Sequence, residues 1–162
     1  MTDSQPHGLR VRRTARVVLL DPEDRVLLFF THWDNRIAPP RWLTVGGGIE
    51  PGESAREGAA RELFEETGLR VPEASLGTPI WQEVRDLPSG HSFDRVDSTY
   101  FLARTATFRP SNASWEPSEL EDILDARWWS LEAIDSSSDN FDPENVRDIL
   151  ARVTSPGEAR SE

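Results

Sequence analysis

Residues 46–69 read GGGIEPGESAREGAARELFEETGL, and this stretch governs how the rest of the chain is read. Its second half places Glu62, Glu65 and Glu66 within five residues. In a helix those positions are related as i, i+3 and i+4, so the three carboxylates share one face. Ser54 is a good N-cap, Glu57 three residues later completes an S-x-x-E capping box, and Gly68 stands where a left-handed residue ends a helix. Ala55, Ala59, Ala60 and Leu63 form an apolar stripe beside the acidic one. The pattern predicts a helix over residues 54–67 with an acid face and a packing face. Upstream, Gly46-Gly47-Gly48 reads as a loop that lets other groups approach the backbone, and Glu50-Pro51-Gly52-Glu53 as a tight turn. Three stacked carboxylates repel one another unless a counter-charge sits among them, and a hard divalent cation such as Mg2+ takes oxygen ligands of this kind. An acidic solvated helix held by i, i+4 pairs such as Arg61–Glu65 is the plainer alternative.

Outward from this segment, Val and Leu enrichment predicts strands over 13–21 and 25–33, joined by the turn Asp21-Pro22-Glu23-Asp24. A short strand over 41–45 leads into the glycines. Residues 76–86, 98–106 and 126–130 have strand character, and the long 86–97 connection, with Pro88-Ser89-Gly90, is either a substrate lid or an inert surface loop. Residues 111–121 read as a polar loop and 130–134 as a helical turn. Residues 142–153 read as a terminal helix capped by Asp142, with Pro143 at its first position. Strands mixed with helices and no visible repeat point to an α/β (α+β) fold, an α/β/α sandwich. The expected organisation is a flexible tail over 1–9, one domain over 10–153 and a second tail over 154–162.

The chain has 162 residues, no cysteine and a formal net charge of −11. Thiol nucleophiles, disulfides and Cys-zinc sites are thereby excluded. All 18 basic residues are arginine, which excludes Schiff-base chemistry and a P-loop lysine. Any phosphate clamp must come from arginine forks, backbone N–H groups or a metal. So acidic a surface disfavours a nucleic-acid backbone as a stable partner but suits a small phosphorylated substrate if cations supply local positive charge. The longest apolar runs, 17–20 and 26–30, are too short to span a membrane, and the first residues lack an apolar signal segment, so a cytoplasmic monomer or homodimer is expected.

The 47–69 segment resembles the Nudix box of the Nudix hydrolases: Gly47, five residues, Glu53, seven residues, Arg61-Glu62, Leu63, one residue, Glu65-Glu66, one residue, Gly68-Leu69. Every fixed position of that pattern is matched. The resemblance implies an α/β/α sandwich with a central mixed sheet and hydrolysis of a nucleoside diphosphate linked to another moiety, with Mg2+ or Mn2+ as cofactor. It implies Glu62, Glu65 and Glu66 as metal ligands, with the Gly46 carbonyl as a further one, and Gly47, Glu53, Arg61 and Gly68 as the framework of the box. The general base is left among Glu62, Glu65 and a loop acid, for which Glu119 is the first candidate and Glu121 and Asp122 its rivals. A nucleoside triphosphate, ADP-ribose or a nucleotide sugar all remain open as substrate, with a slight tilt toward a compact MutT-like enzyme. A nucleotide-sensing module that has lost catalysis is the competing function. An isopentenyl diphosphate isomerase is disfavoured because it needs a cysteine.

Arg36 and Arg41, just upstream of the glycines, are candidate phosphate contacts, and Trp42, Trp33 and Trp81 candidate stacking partners for a base, although tryptophan at strand positions is also a common core residue. Gly58 either makes room on the acid face or is an ordinary helix glycine. Trp128 and Trp129, adjacent on one strand, must point to opposite faces. His32 and His91 stand alone, without partners at metal-ligand spacing.

Overall fold

The structure is a computed structural model that describes residues 8–32, 39–110, 115, 117 and 122–154. Among the described residues, seven strands and three α-helices follow in the order β1 (Val11–Leu20), β2 (Val26–Thr31), β3 (Arg41–Gly48), α1 (Ala55–Thr67), β4 (Trp81–Asp86), β5 (Arg95–Arg104), β6 (Ile123–Trp129), α2 (Leu131–Ser136), β7 (Phe141–Asp142) and α3 (Val146–Thr154), with a 3-10 turn at Glu73–Leu76. β1 and β5 pair in parallel along their whole length, from Val11 opposite Arg95 to Leu20 opposite Arg104. β4 lies antiparallel on β5, and β6 antiparallel on β2. β3 changes partner midway: Arg41 to Thr44 pair with β2, and Val45 to Gly48 pair with β1. The mixed sheet thereby curls and opens into two halves at the Thr44–Val45 junction.

Alternation along β1 buries both faces. Ala15, Val17 and Leu19 join Leu27, Phe29, Val45 and Phe101 against Ala59 and Leu63 of α1. Val18 and Leu20 join Val26, Leu28, Trp42 and Tyr100 against Ile134 of α2 and Val146, Ile149 and Leu150 of α3. A sheet buried on both sides between helices is the expected sandwich, and each fully buried Leu or Val in it contributes about 2 kcal/mol. Trp128 and Trp129 divide between the two clusters, as adjacent strand residues must.

Three local expectations are corrected. Gly46-Gly47-Gly48 is not a loop but the end of β3, with Gly46, Gly47 and Gly48 opposite Arg16, Ala15 and Thr14. Asp142 does not cap the last helix. It pairs with Leu43 as part of β7, and α3 starts only at Val146. Residues 76–80 are not strand, because the chain first forms the 3-10 turn and β4 begins at Trp81. Trp33, Arg36, Glu119 and Glu121 lie outside the described residues. Among the described residues no helix is long and apolar enough to cross a membrane.

Candidate active site

The helix α1 is built as its sequence dictates. Ser54 Oγ accepts from the Glu57 N–H at 3.1 Å, and Gly68, at φ 76°, closes the helix by donating its N–H to the Phe64 carbonyl. With Ala59 and Leu63 sunk into the core, the acid face comes down on the glycine end of β3. The Gly46 N–H donates to Glu66 Oε2 at 2.9 Å. A Cβ on Gly47 would stand 2.5 Å from Glu62 Oε1, so any side chain there would displace that carboxylate. At Gly46 a Cβ would meet the Ala15 carbonyl oxygen at 2.2 Å, and its φ of 139° is itself a glycine conformation. Glu62 and Glu66, one turn apart, thus rest on consecutive glycines.

Arg61 ties the acids together. Its Nε and Nη2 donate to the two oxygens of Glu53 at 2.8 and 2.9 Å, Nη2 also to the Gly48 carbonyl at 2.9 Å, and Nη1 to Glu62 and Glu65 at 3.1 Å each. These bonds push the guanidinium further above its ordinary value, the Glu53 hydrogen bonds first, and hold Glu53 below the usual carboxylate range. Glu62 moves the other way: burial raises its carboxyl and outweighs the lowering by Arg61. Gly58 makes room for Glu53, whose Oε1 would lie 2.8 Å from a Cβ there, and not for the acid trio.

Three carboxylates therefore share one guanidinium, one of them desolvated. Glu65 turns to Arg61, and among the described residues no three acidic or imidazole side chains converge on one point. The donor chemistry still suits a hard cation: oxygen donors only, an excess of negative charge, and a backbone carbonyl at Gly46 that so far accepts from Arg16 at 3.0 Å.

Where β3 changes partner, the two half-sheets leave a cavity of about 380 Å³, with Glu66, Gly46 and Gly47 in its lining. Arg12, Thr14 and Arg16, alternate residues of β1, line it as well, and the Thr14 hydroxyl donates to Ser98 Oγ at 2.8 Å. Arg85 joins them from β4, its Nη2 paired with Asp142 at 3.1 Å. Phe29, Leu43 and Ile123 supply an apolar wall, and His32 and Asp122 also line the space. Arg12, Arg16 and Arg85 were not singled out from the sequence. The usable signal was the polar opening Arg12-Arg13-Thr14-Ala15-Arg16 of a strand that continues as the apolar run Val17–Leu20.

Other candidates fall elsewhere. Trp42 is only 3% exposed; its Nε1 donates to Asp139 at 3.0 Å, and its ring packs on Phe30 and Trp129. It is core and offers no face to a base. Arg41 is half-buried and points to Asp142 at 3.8 Å. The 86–97 connection is tied at its base, because Asp94 accepts from the Arg10 backbone N–H and from its Nε and Nη2.

A model of the NUDIX domain matches residues 10–152. An RNA pyrophosphohydrolase of Dinoroseobacter shibae is 41% identical over 92 residues, 54% of either chain. Nudix hydrolase 19, chloroplastic, of Arabidopsis thaliana is 32% identical over 126 residues, 77% of this chain and 26% of the relative. The chain thus spans about half or less of the length of these curated relatives. A MutT protein of Methanosarcina mazei Go1 superposes with a TM-score of 0.66 over 90% of this chain and 94% of its own, at 23% identity, which shows a shared fold.

Proposed function

The chain belongs to the Nudix family, and from that premise we propose that it is a divalent-metal-dependent hydrolase that cleaves the pyrophosphate bond of a nucleoside diphosphate linked to another group. The observation that carries this reading is the seating of Glu62 and Glu66 on Gly47 and Gly46, at the edge of a cavity whose other wall is arginine. The family generally uses divalent metal ions, and the name of the Dinoroseobacter shibae relative supports a pyrophosphate bond as the target.

Glu62, Glu65 and Glu66, with the Gly46 carbonyl, are the residues that would hold Mg2+ or Mn2+. Such an ion would neutralise pyrophosphate charge and lower the pKa of an attacking water. The protein's own part is positioning. Arg61 fixes Glu53 and the glycine strand, β3 presents backbone without side chains to the substrate, and the apolar wall excludes water beside it. The proton of the attacking water goes to a carboxylate. Glu62, raised by its burial, and Glu65 are the candidates on the helix, and Glu119 is the candidate outside the described residues.

The test is phosphate release from a panel of nucleoside triphosphates, nucleotide sugars, dinucleoside polyphosphates and ADP-ribose with Mg2+. EDTA should abolish turnover. Glu66→Gln keeps an acceptor for the Gly46 N–H but loses the charge, and should lower turnover about 100-fold or more while leaving the fold intact. Full activity in EDTA refutes the metal requirement. Binding without turnover across the panel favours a nucleotide sensor instead.

A further inference from the structure

Register fixes Arg16 over the glycine strand. β1 and β3 pair antiparallel with Arg16 opposite Gly46. The missing Cβ of Gly46 makes room for the arginine stem, because a methyl there would lie 2.8 Å from Arg16 Cδ. The half-buried side chain folds back onto β3, where Nη1 donates to the Gly46 carbonyl at 3.0 Å and to the Thr44 carbonyl at 3.2 Å. Glu66 holds the N–H of the same glycine.

Two of the groups that Arg16 faces belong to the set that would hold the cation. The Gly46 carbonyl is one, and it accepts from Arg16 directly. Glu62 is the other: burial pushes its carboxyl up, and Arg61 and Arg16 act against that by favouring the charged form. Arg61 approaches from a different side, its hydrogen bonds running to Glu53, Glu62, Glu65 and the Gly48 carbonyl. Arg16 thus places positive charge beside the acid face and holds an oxygen that a cation would use. Two like charges that share one oxygen repel, and in a half-buried site water screens that repulsion only in part.

We propose that Arg16 competes with the divalent cation: it holds the Gly46 carbonyl, and the cation takes that oxygen only as the guanidinium leaves it. Arg16 thereby sets the affinity of the acid face for the bare ion and keeps it low. This rests on the metal-dependent reading above, because it takes the Gly46 carbonyl and the acids as the cation's ligands.

The experiment titrates Mn2+ alone into the full chain and into its Arg16→Gln, Arg16→Lys and Arg85→Gln variants, with free Mn2+ read by electron paramagnetic resonance. Arg16→Gln keeps one donor for a carbonyl and loses the charge, and should bind Mn2+ roughly 10- to 100-fold more tightly than the wild type. Arg16→Lys keeps the charge and should stay within about threefold of the wild type. Arg85→Gln removes a charge from the same cavity, but one paired with Asp142, and should also stay within about threefold. Crystals of the wild type grown with Mn2+ give a second reading that depends on no variant. With the ion bound at the acid face, Arg16 Nη1 should lie beyond hydrogen-bond distance of the Gly46 carbonyl. Equal or weaker binding by Arg16→Gln, an equal gain in Arg16→Lys or Arg85→Gln, or Arg16 still bonded to the Gly46 carbonyl beside a bound ion overturns the competition alone. If neither the wild type nor Arg16→Gln binds Mn2+, the metal-dependent reading falls and the competition falls with it.

Discussion

Adding one methyl group at Gly47 and at Gly46 separates function from stability at adjacent residues. At Gly47 the backbone is outside the left-handed region, so alanine is conformationally allowed. Its Cβ would stand 2.5 Å from Glu62 Oε1 and 2.8 Å from Cδ, about 1 Å inside ordinary contact. Those atoms end a flexible side chain, so the carboxylate yields and the backbone does not. The expected loss of stability is about 1 kcal/mol, or roughly 3 °C in Tm for a chain of this size. On the proposed function the displaced carboxylate belongs to the metal-holding set, and misplacement by about 1 Å should lower turnover on the order of 100-fold. At Gly46 the same methyl meets the Ala15 carbonyl at 2.2 Å and Arg16 Cα at 2.8 Å, both backbone, at a φ of 139°. Gly46→Ala should therefore lose about 3 kcal/mol, roughly 6–12 °C, as β3 parts from β1. Thermal melts and phosphate-release assays on the two variants make the comparison. Wild-type turnover in Gly47→Ala, or a lower Tm for Gly47→Ala than for Gly46→Ala, refutes the seating of Glu62 on the glycine.

Two further outcomes follow from the ion pairs. Arg61→Ala leaves Glu53 and Glu62, whose side chains are each only 12% exposed, without their guanidinium, and should cost about 3 kcal/mol in chemical denaturation. Arg61→Lys should restore only part of this, since a single ammonium cannot reproduce the five hydrogen bonds of the fork, and full rescue by lysine would contradict the hub. At the β1–β2 turn, burial pushes the Asp21 carboxyl up. Hydrogen bonds from Arg25, Thr107 and the turn backbone outweigh it, so the group ionises below its usual value of 3.8. A depressed folded pKa gives stability that is present above pH 3.8 and lost as pH falls through the lower folded value. Asp21→Asn should thus be about 2 kcal/mol less stable at pH 7, with the gap closing in strong acid. Equal gaps at pH 7 and pH 2.5 would show that the charge plays no part.

The helix of the box was legible from its own residues because its signals are local. A serine, a glutamate three places on, an apolar stripe and a closing glycine act within a few turns, and the helix runs over Ala55–Thr67 with the caps where they were expected. The same locality explains why adjacent Trp128 and Trp129 part to opposite faces. Trp42 shows the limit: sequence alone allows a tryptophan on a strand to serve a ligand or the core, and only the packing of Phe30, Trp129 and α3 around it decides for the core.

The sequence by itself determined that three acids share a helix face, that arginine is the sole basic residue, and which family the pattern resembles, since these depend on spacing and composition. Tertiary structure decided what those acids face. Glycine has little strand propensity, so residues 46–48 read as a loop; β1, supplied from some thirty residues upstream, pairs with them and makes them strand. That pairing brings Arg12 and Arg16 to the glycines, while β7 pairs with the other end of β3 and leaves Asp142 beside Arg85 instead of at a helix cap. Hydrogen bonds between residues distant in the chain form only when the whole sheet assembles, and no short-range pattern encodes their register.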